Sequence, residues 1–166
     1  MLVLGIDPGT AITGYGLVLE DEGGLALVDY GVITTPSGQP LPERLQTIYQ
    51  GLARVIREHR PGAAAVEELF FSRNARTALS VGHARGVTLL ALADAGLPIY
   101  EYKPLEIKQT VAGYGGAKKQ QVQEMVRMLL ELDHVPQPDD AADAVAVAVC
   151  HIHSARMAAL IAESTP

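Results

Sequence analysis

Four acids stand where acids are awkward. Asp7 closes the apolar run Leu2–Ile6, and Glu67 closes Ala63–Val66. Asp140 and Asp143 lie three apart at the start of an apolar helical stretch, so they share one helix face. In α/β proteins, ligand sites gather at strand ends and nearby helix N-termini, so one sheet can bring all four together. Clustered carboxylates repel unless a cation neutralises them. An oxygen-only donor set suits Mg²⁺ or Mn²⁺ rather than zinc. The chemistry such a cluster supports is two-metal phosphodiester hydrolysis. The plainer alternatives are capping for Asp139, Asp140 and Asp143 at a helix N-terminus, and turn formation for Asp7 before Pro8-Gly9.

Cationic and aromatic residues are placed to complement that chemistry. Phe70-Phe71 precede Ser72-Arg73-Asn74-Ala75-Arg76 at a strand-to-helix junction. An aromatic there can stack on a base while Arg73 and Arg76 hold phosphates. We assign Phe70 to DNA and Phe71 to the core; the reverse, or two core residues, also fits. Lys118-Lys119 follow a glycine-rich loop and open a helix, where ammonium groups and backbone amides can bind a phosphate together. The alternative is a solvated pair. His151 shares a helix face with Asp143 but stands about 12 Å away along the axis, too far for a common metal. It and His153 read as structural or surface residues. His83 lies on the glycine-containing helical stretch, and Cys150 reads as a small buried hydrophobe.

The elements that must position these groups follow from hydrophobic periodicity. Leu2–Asp7, Thr13–Glu20 and Leu25–Thr35 read as strands joined by short turns, hence antiparallel. From Leu41 to Arg60 the apolar residues recur at three and four, an amphipathic helix broken by Pro61-Gly62. A strand over Ala63–Val66, a small-residue helix over Ser72–Ala95 and a strand over Leu97–Tyr102 come next. Helices follow over Pro104–Val111, Lys118–Leu132 and Asp139 to about Ile161, with Pro104 suited to a first turn. This order predicts one α/β layered domain over 1–166, with a mixed five-stranded sheet of three antiparallel strands and then parallel ones, flanked by helices.

Composition bounds the setting. The chain has 166 residues, 48% hydrophobic and 19% charged, a globular balance. One cysteine excludes an internal disulfide framework and fits a reducing cytoplasm. No basic, apolar leader opens the sequence, and its apolar runs look shorter than the roughly 18 residues of a membrane span. The net charge of −6 argues against nucleic acid until it is divided. Residues 1–53 carry one base and six acids, and 128–166 carry the same, whereas 54–127 carry eleven bases and seven acids. The expected surface is a basic grip beside an acidic, metal-filled cleft.

Several blocks together resemble one family. Gly5-Ile6-Asp7-Pro8-Gly9-Thr10 with Thr13-Gly14-Tyr15-Gly16, then Val66-Glu67-Glu68-Leu69-Phe70, then Lys108-Gln109-Thr110-Val111-Ala112-Gly113 with Lys119–Val126, then Asp140-Ala141-Ala142-Asp143-Ala144, resemble the RuvC family of Holliday-junction resolvases. The resemblance implies an RNase H-like fold, a homodimer and Mg²⁺-dependent paired nicking of four-way DNA junctions in recombination and repair. Two ions per site are implied, with Mn²⁺ able to substitute. By position, Asp7, Glu67, Asp140 and Asp143 match the metal ligands, Lys108 and Lys119 the basic residues near the scissile phosphate, and Phe70 the base-contacting aromatic. A one-residue slip would move the third ligand to Asp139; the spacing to Asp143 favours Asp140. A junction-binding and branch-migration motor complex is the implied partner. Two-fold symmetry suits a junction with two equivalent strands, and Asn74–Ala95, with Ala78, Val81, Gly82, Gly86 and Leu89, is the expected seam. Two other readings stay open: an actin-like nucleotide-binding ATPase, whose phosphate loop Gly5–Thr10 also resembles, and a non-catalytic DNA-binding relative.

Overall fold

The computed structural model describes residues 1–68 and 75–164, without the side chains of 75–77. The expectations for Phe70, Phe71 and Arg73, and for the side chain of Arg76, fall outside the described residues. Strands β1 (Leu2–Asp7), β2 (Ile12–Asp21) and β3 (Gly24–Thr34) lead into helix α1 (Leu41–His59). Then come β4 (Ala63–Glu67), α2 (Ala75–Asp94), β5 (Ile99–Tyr102), α3 (Pro104–Ala112), α4 (Lys119–Leu129) and α5 (Asp139–Ser164). The sheet order is β3-β2-β1-β4-β5, with β2 antiparallel to β1 and β3, and β4 parallel to β1 and β5.

The strict alternation of a strand divides β1 between two cores. Leu4 and Ile6 face α1 and α2 and pack with Leu17, Ile48, Leu52, Ala64, Val66 and Leu92. Val3 faces the other way, where Val18, Ala65 and the inner faces of α3, α4 and α5 form the second core. α1 buries Ile48, Leu52, Val55 and Ile56 on one stripe and ends where Arg60 turns left-handed, its N–H donating to the Ile56 carbonyl.

α5 departs from the expectation about apolar length. It is long and apolar enough to cross a membrane by length and composition, with half of its most apolar stretch buried. Asp143, His151 and His153 divide the sequence into short runs, yet the helix is continuous. Its Ala141–Ile152 half is apolar around nearly its whole circumference because it lies between the sheet and the helices α3 and α4.

That burial depends on glycine. A Cβ on Gly5 would sit 2.1 Å from the Ala144 carbonyl oxygen, one on Gly14 1.9 Å from that of Asp140, and one on Gly16 2.5 Å from Val145 Cγ2. Gly5 and Gly16 are register partners, and Gly14 is opposite Asp7. The three make a flat track on which the backbone of α5 rests, and the track sets how close the helix's first turn comes to Asp7. We expect Gly14→Ala to destabilise the protein by more than the ~1–3 kcal/mol of ordinary overpacking, because backbone rather than a movable side chain must yield. The urea midpoint should fall with its slope unchanged. Gly38→Ala, with open space around it, should stay within about 0.5 kcal/mol of the parent.

Candidate active site

Register brings the first two acids together. β1 and β4 are parallel with Gly5 opposite Ala65 and Ile6 opposite Val66. Asp7 and Glu67 therefore leave adjacent strands at one level, about 4.8 Å apart across the sheet, on the α5 side. Asp7 is joined to Glu67 by a carboxyl–carboxyl hydrogen bond. The glycine track presents the first turn of α5 to the same point, and the charges of Asp143 and Asp140 both act on Asp7. Asp139 is exposed, and its charge acts on Lys119 and Asp143 rather than on Asp7. The turn after Asp7 is tied down as well. Thr13 Oγ1 donates to the Gly9 carbonyl at 2.7 Å, Thr35 Oγ1 to the Thr10 carbonyl at 2.5 Å, and Ser80 Oγ to Thr10 Oγ1 at 2.9 Å.

Crowding of like charges shows in the protonation. Burial first, then the charges of Glu67, Asp143 and Asp140, push Asp7 up to about 8. Burial and the Asp143 charge also raise Glu67, while its hydrogen bond from Asp7 and the charges of Lys108 and Lys119 pull the other way. Asp143 is raised by burial against the opposing pull of Lys119. Lys119 Nζ stands 2.7 Å from Asp143 Oδ2 and 3.4 Å from Asp139 Oδ2. Burial lowers the Lys119 ammonium, but its bond to Asp143 and the two acidic charges outweigh that and raise it. Burial and like charge thus raise Asp7 and Glu67 together, and the Lys119 ammonium supplies positive charge within the cluster.

Both lysines border the same space. A cleft of about 280 Å³ is lined by Glu67, Lys108, Lys119 and Asp143, with Ile107 and Val122 beneath them. Lys118 is exposed at the start of α4, its N–H donating to the Gln121 side chain. His151 is buried, its Nδ1 2.8 Å from the Tyr102 hydroxyl and its ring against Tyr100. Cys150 is fully buried. Among the described residues no three acidic or histidine side chains form a closed metal cage. The donor set nonetheless fits a hard divalent cation: it is all carboxylate oxygen, its like charges raise one another, and an ammonium already lies against Asp143. Sequence reasoning did not assign a role to Gly5, Gly14 and Gly16. The available signal was glycine recurring within strands, which marks close backbone approach.

Comparisons with known proteins agree along the chain. The family model described as crossover junction endodeoxyribonuclease RuvC matches residues 3–151. A protein of that name from Chloroflexus aggregans is 62% identical over 155 residues, covering 93% of this chain and 94% of its own. One from Desulfitobacterium hafniense is 58% identical over 157 residues, covering 95% of both. The structure of T. thermophilus RuvC in complex with Holliday junction substrate is similar with a TM-score of 0.90 at 41% identity, over 95% of this chain and 96% of that one. The yeast mitochondrial Holliday junction resolvase, at 16% identity and a TM-score of 0.63 over 91% of this chain and 78% of that one, shares the fold.

Proposed function

The chain belongs to the RuvC family of crossover junction endodeoxyribonucleases, and on that footing we propose that it resolves four-way DNA junctions by paired nicks, each made at a cluster of Asp7, Glu67, Asp140 and Asp143. Its RNase H-like fold is the mixed five-stranded arrangement expected. The observation that carries the reading is the gathering of acids from β1, β4 and α5 beside Lys108 and Lys119. Enzymes of this family depend on a divalent metal. Here the four carboxylates would hold Mg²⁺, two ions per site, with Mn²⁺ as a substitute. Bound there, the metal supplies activation of water and neutralisation of the leaving oxygen.

The remaining roles belong to the chain's own groups. Lys119 moves from Asp143 to the scissile phosphate and offsets its charge as the bond breaks. Lys108 and Lys118 grip the neighbouring backbone. Phe70 stacks on an unpaired base, with Arg73 and Arg76 on flanking phosphates. A homodimer presents two such sites to the two symmetric strands. α2 supports this reading because it leaves Leu79 and Leu90 exposed at 63% and 54%, apolar surface that a second copy would cover. A junction-binding and branch-migration motor complex is the proposed partner in recombination and repair. The nucleotide-lobe reading of Gly5–Thr10 gives way to the family match, which includes that segment.

The test is cleavage of a synthetic four-way junction against linear duplex, with Mg²⁺, with Mn²⁺ and with chelator. Paired nicks in the junction alone, present with either metal and lost with chelator, are expected. Equal cutting of linear duplex, or metal-independent nicking, would overturn the reading.

A further inference from the structure

Most bases of the cationic middle segment already have an assignment. Arg85 pairs with Glu101, Arg127 with Glu124, and Lys119 with Asp143. Arg54 and Arg57 do not: both are exposed on α1 and neither has an ion pair among the described residues. They line a groove of about 640 Å³ together with Val32 and Thr34 of β3 and Thr47 and Gln50 of α1. Thr47, Gln50, Arg54 and Arg57 recur at three, four and three, one polar stripe down the helix. No acidic side chain lines the groove.

The other wall is a sheet edge. β3 ends the strand order, so one row of its backbone polar groups has no strand partner among the described residues. Register ties this wall to the acidic cluster. Val32 is opposite Gly14, which is opposite Asp7, two strand spacings or roughly 10 Å across the sheet. From there α1 runs back along the body: Arg44 donates to Thr35 Oγ1 at 2.8 Å, and Arg54 lies ten residues on, about 15 Å along the axis. The groove therefore begins near the level of the site and leads away round the β3 edge.

We propose that this groove holds the phosphodiester backbone of a junction arm, with the Arg54 and Arg57 guanidiniums on successive phosphates and Thr47 and Gln50 as neutral hydrogen-bond donors. Guanidinium forks match phosphate oxygens, and a cationic, acid-free groove is what a polyanion selects. The inference rests on the junction-cleavage reading. It adds an arm-holding surface to the face of the sheet opposite Asp7, separate from the grip at Lys108, Lys118 and Lys119.

The experiment measures junction binding by the full-length protein across salt, in Ca²⁺ to hold cleavage off, for the parent and for Arg54→Gln/Arg57→Gln. Each lost phosphate contact lowers the slope of log affinity against log salt by about 0.9, so two contacts reduce the affinity lost between ~50 and ~200 mM salt by about 12-fold. Arg54→Lys/Arg57→Lys should recover most of the slope, because both charges remain. An unchanged slope in the glutamine variant overturns the proposal, as does a lysine variant that recovers none of the lost slope. A parent protein that binds no junction would instead refute the reading on which the proposal rests.

Discussion

Asp7→Asn should abolish junction cleavage and leave junction binding intact. Asp7 stands at the centre of the cluster: it is the group on which Glu67, Asp143 and Asp140 all act. Asparagine keeps its shape, and the amide can donate to Glu67 as the protonated carboxyl does. What disappears is one anionic ligand. A metal's stabilisation of a phosphoryl transition state is worth several kcal/mol, and each 1.36 kcal/mol is tenfold in rate. A loss on the order of 10³-fold in single-turnover nicking is expected. The cations proposed to face DNA are unchanged, so the junction dissociation constant measured in Ca²⁺ should move by less than about threefold, since one carboxylate's charge at the cleft is the only difference. Parent-like nicking by the variant would remove Asp7 from the reaction.

The second large effect is on stability, and its sign follows from the same residue. Asp7 ionises near 8 in the folded protein against 3.8 as a free side chain. Between those values the folded state keeps a proton that the unfolded chain releases. Without metal, this contribution to stability is complete below about pH 4 and is lost as the pH rises through 8. Glu67 and Asp143 are shifted in the same direction. His151 is shifted downward by burial, so it works the other way below its ordinary 6.5, and the decline is clearest above that point. At about 1.4 kcal/mol per unit, and allowing for coupling within the cluster, the loss is roughly 2–4 kcal/mol. In a chain of this size that is a fall in melting temperature of about 5–15 °C. Saturating Mg²⁺ should reverse it, because only the folded state assembles the site. Asp7→Asn should flatten the decline and leave the metal-free variant more stable than the parent at pH 8. Calorimetry from pH 5 to 8, with and without Mg²⁺, reads all three, and a parent melting temperature that rises steadily across the range would refute the argument.

The crowding that raises Asp7 also gives the placement of Lys119 a physical reason. Its ammonium lies against Asp143 in the ion pair, holding down repulsion that the cluster would otherwise feel. The glycine track acts in the opposite sense, forcing α5 close enough that the repulsion exists at all. Compact packing and electrostatic strain are thus two results of the same three residues.

Much of this was legible in the residues alone. Strand and helix periods are local properties of a chain, so the element order, the mixed sheet and the four awkward acids could be read from spacing. Strand parity could be read as well: Asp7 is two residues beyond Gly5, and Glu67 two beyond Ala65, so each pair shares a face. The tertiary structure decided what depends on distance between elements. It set Asp140 rather than Asp139 toward Asp7, because the Asp140 backbone rests on Gly14. It raised Asp7 far above the ordinary carboxylate range, because burial and three neighbouring charges act there together. It gave α5 the apolar circumference of a membrane span inside a layered domain, since small side chains on every face let sheet and helices close upon it. Periodicity reports which face of an element is buried, but only the packed fold reports how near two buried faces come, and charge interactions are governed by that distance.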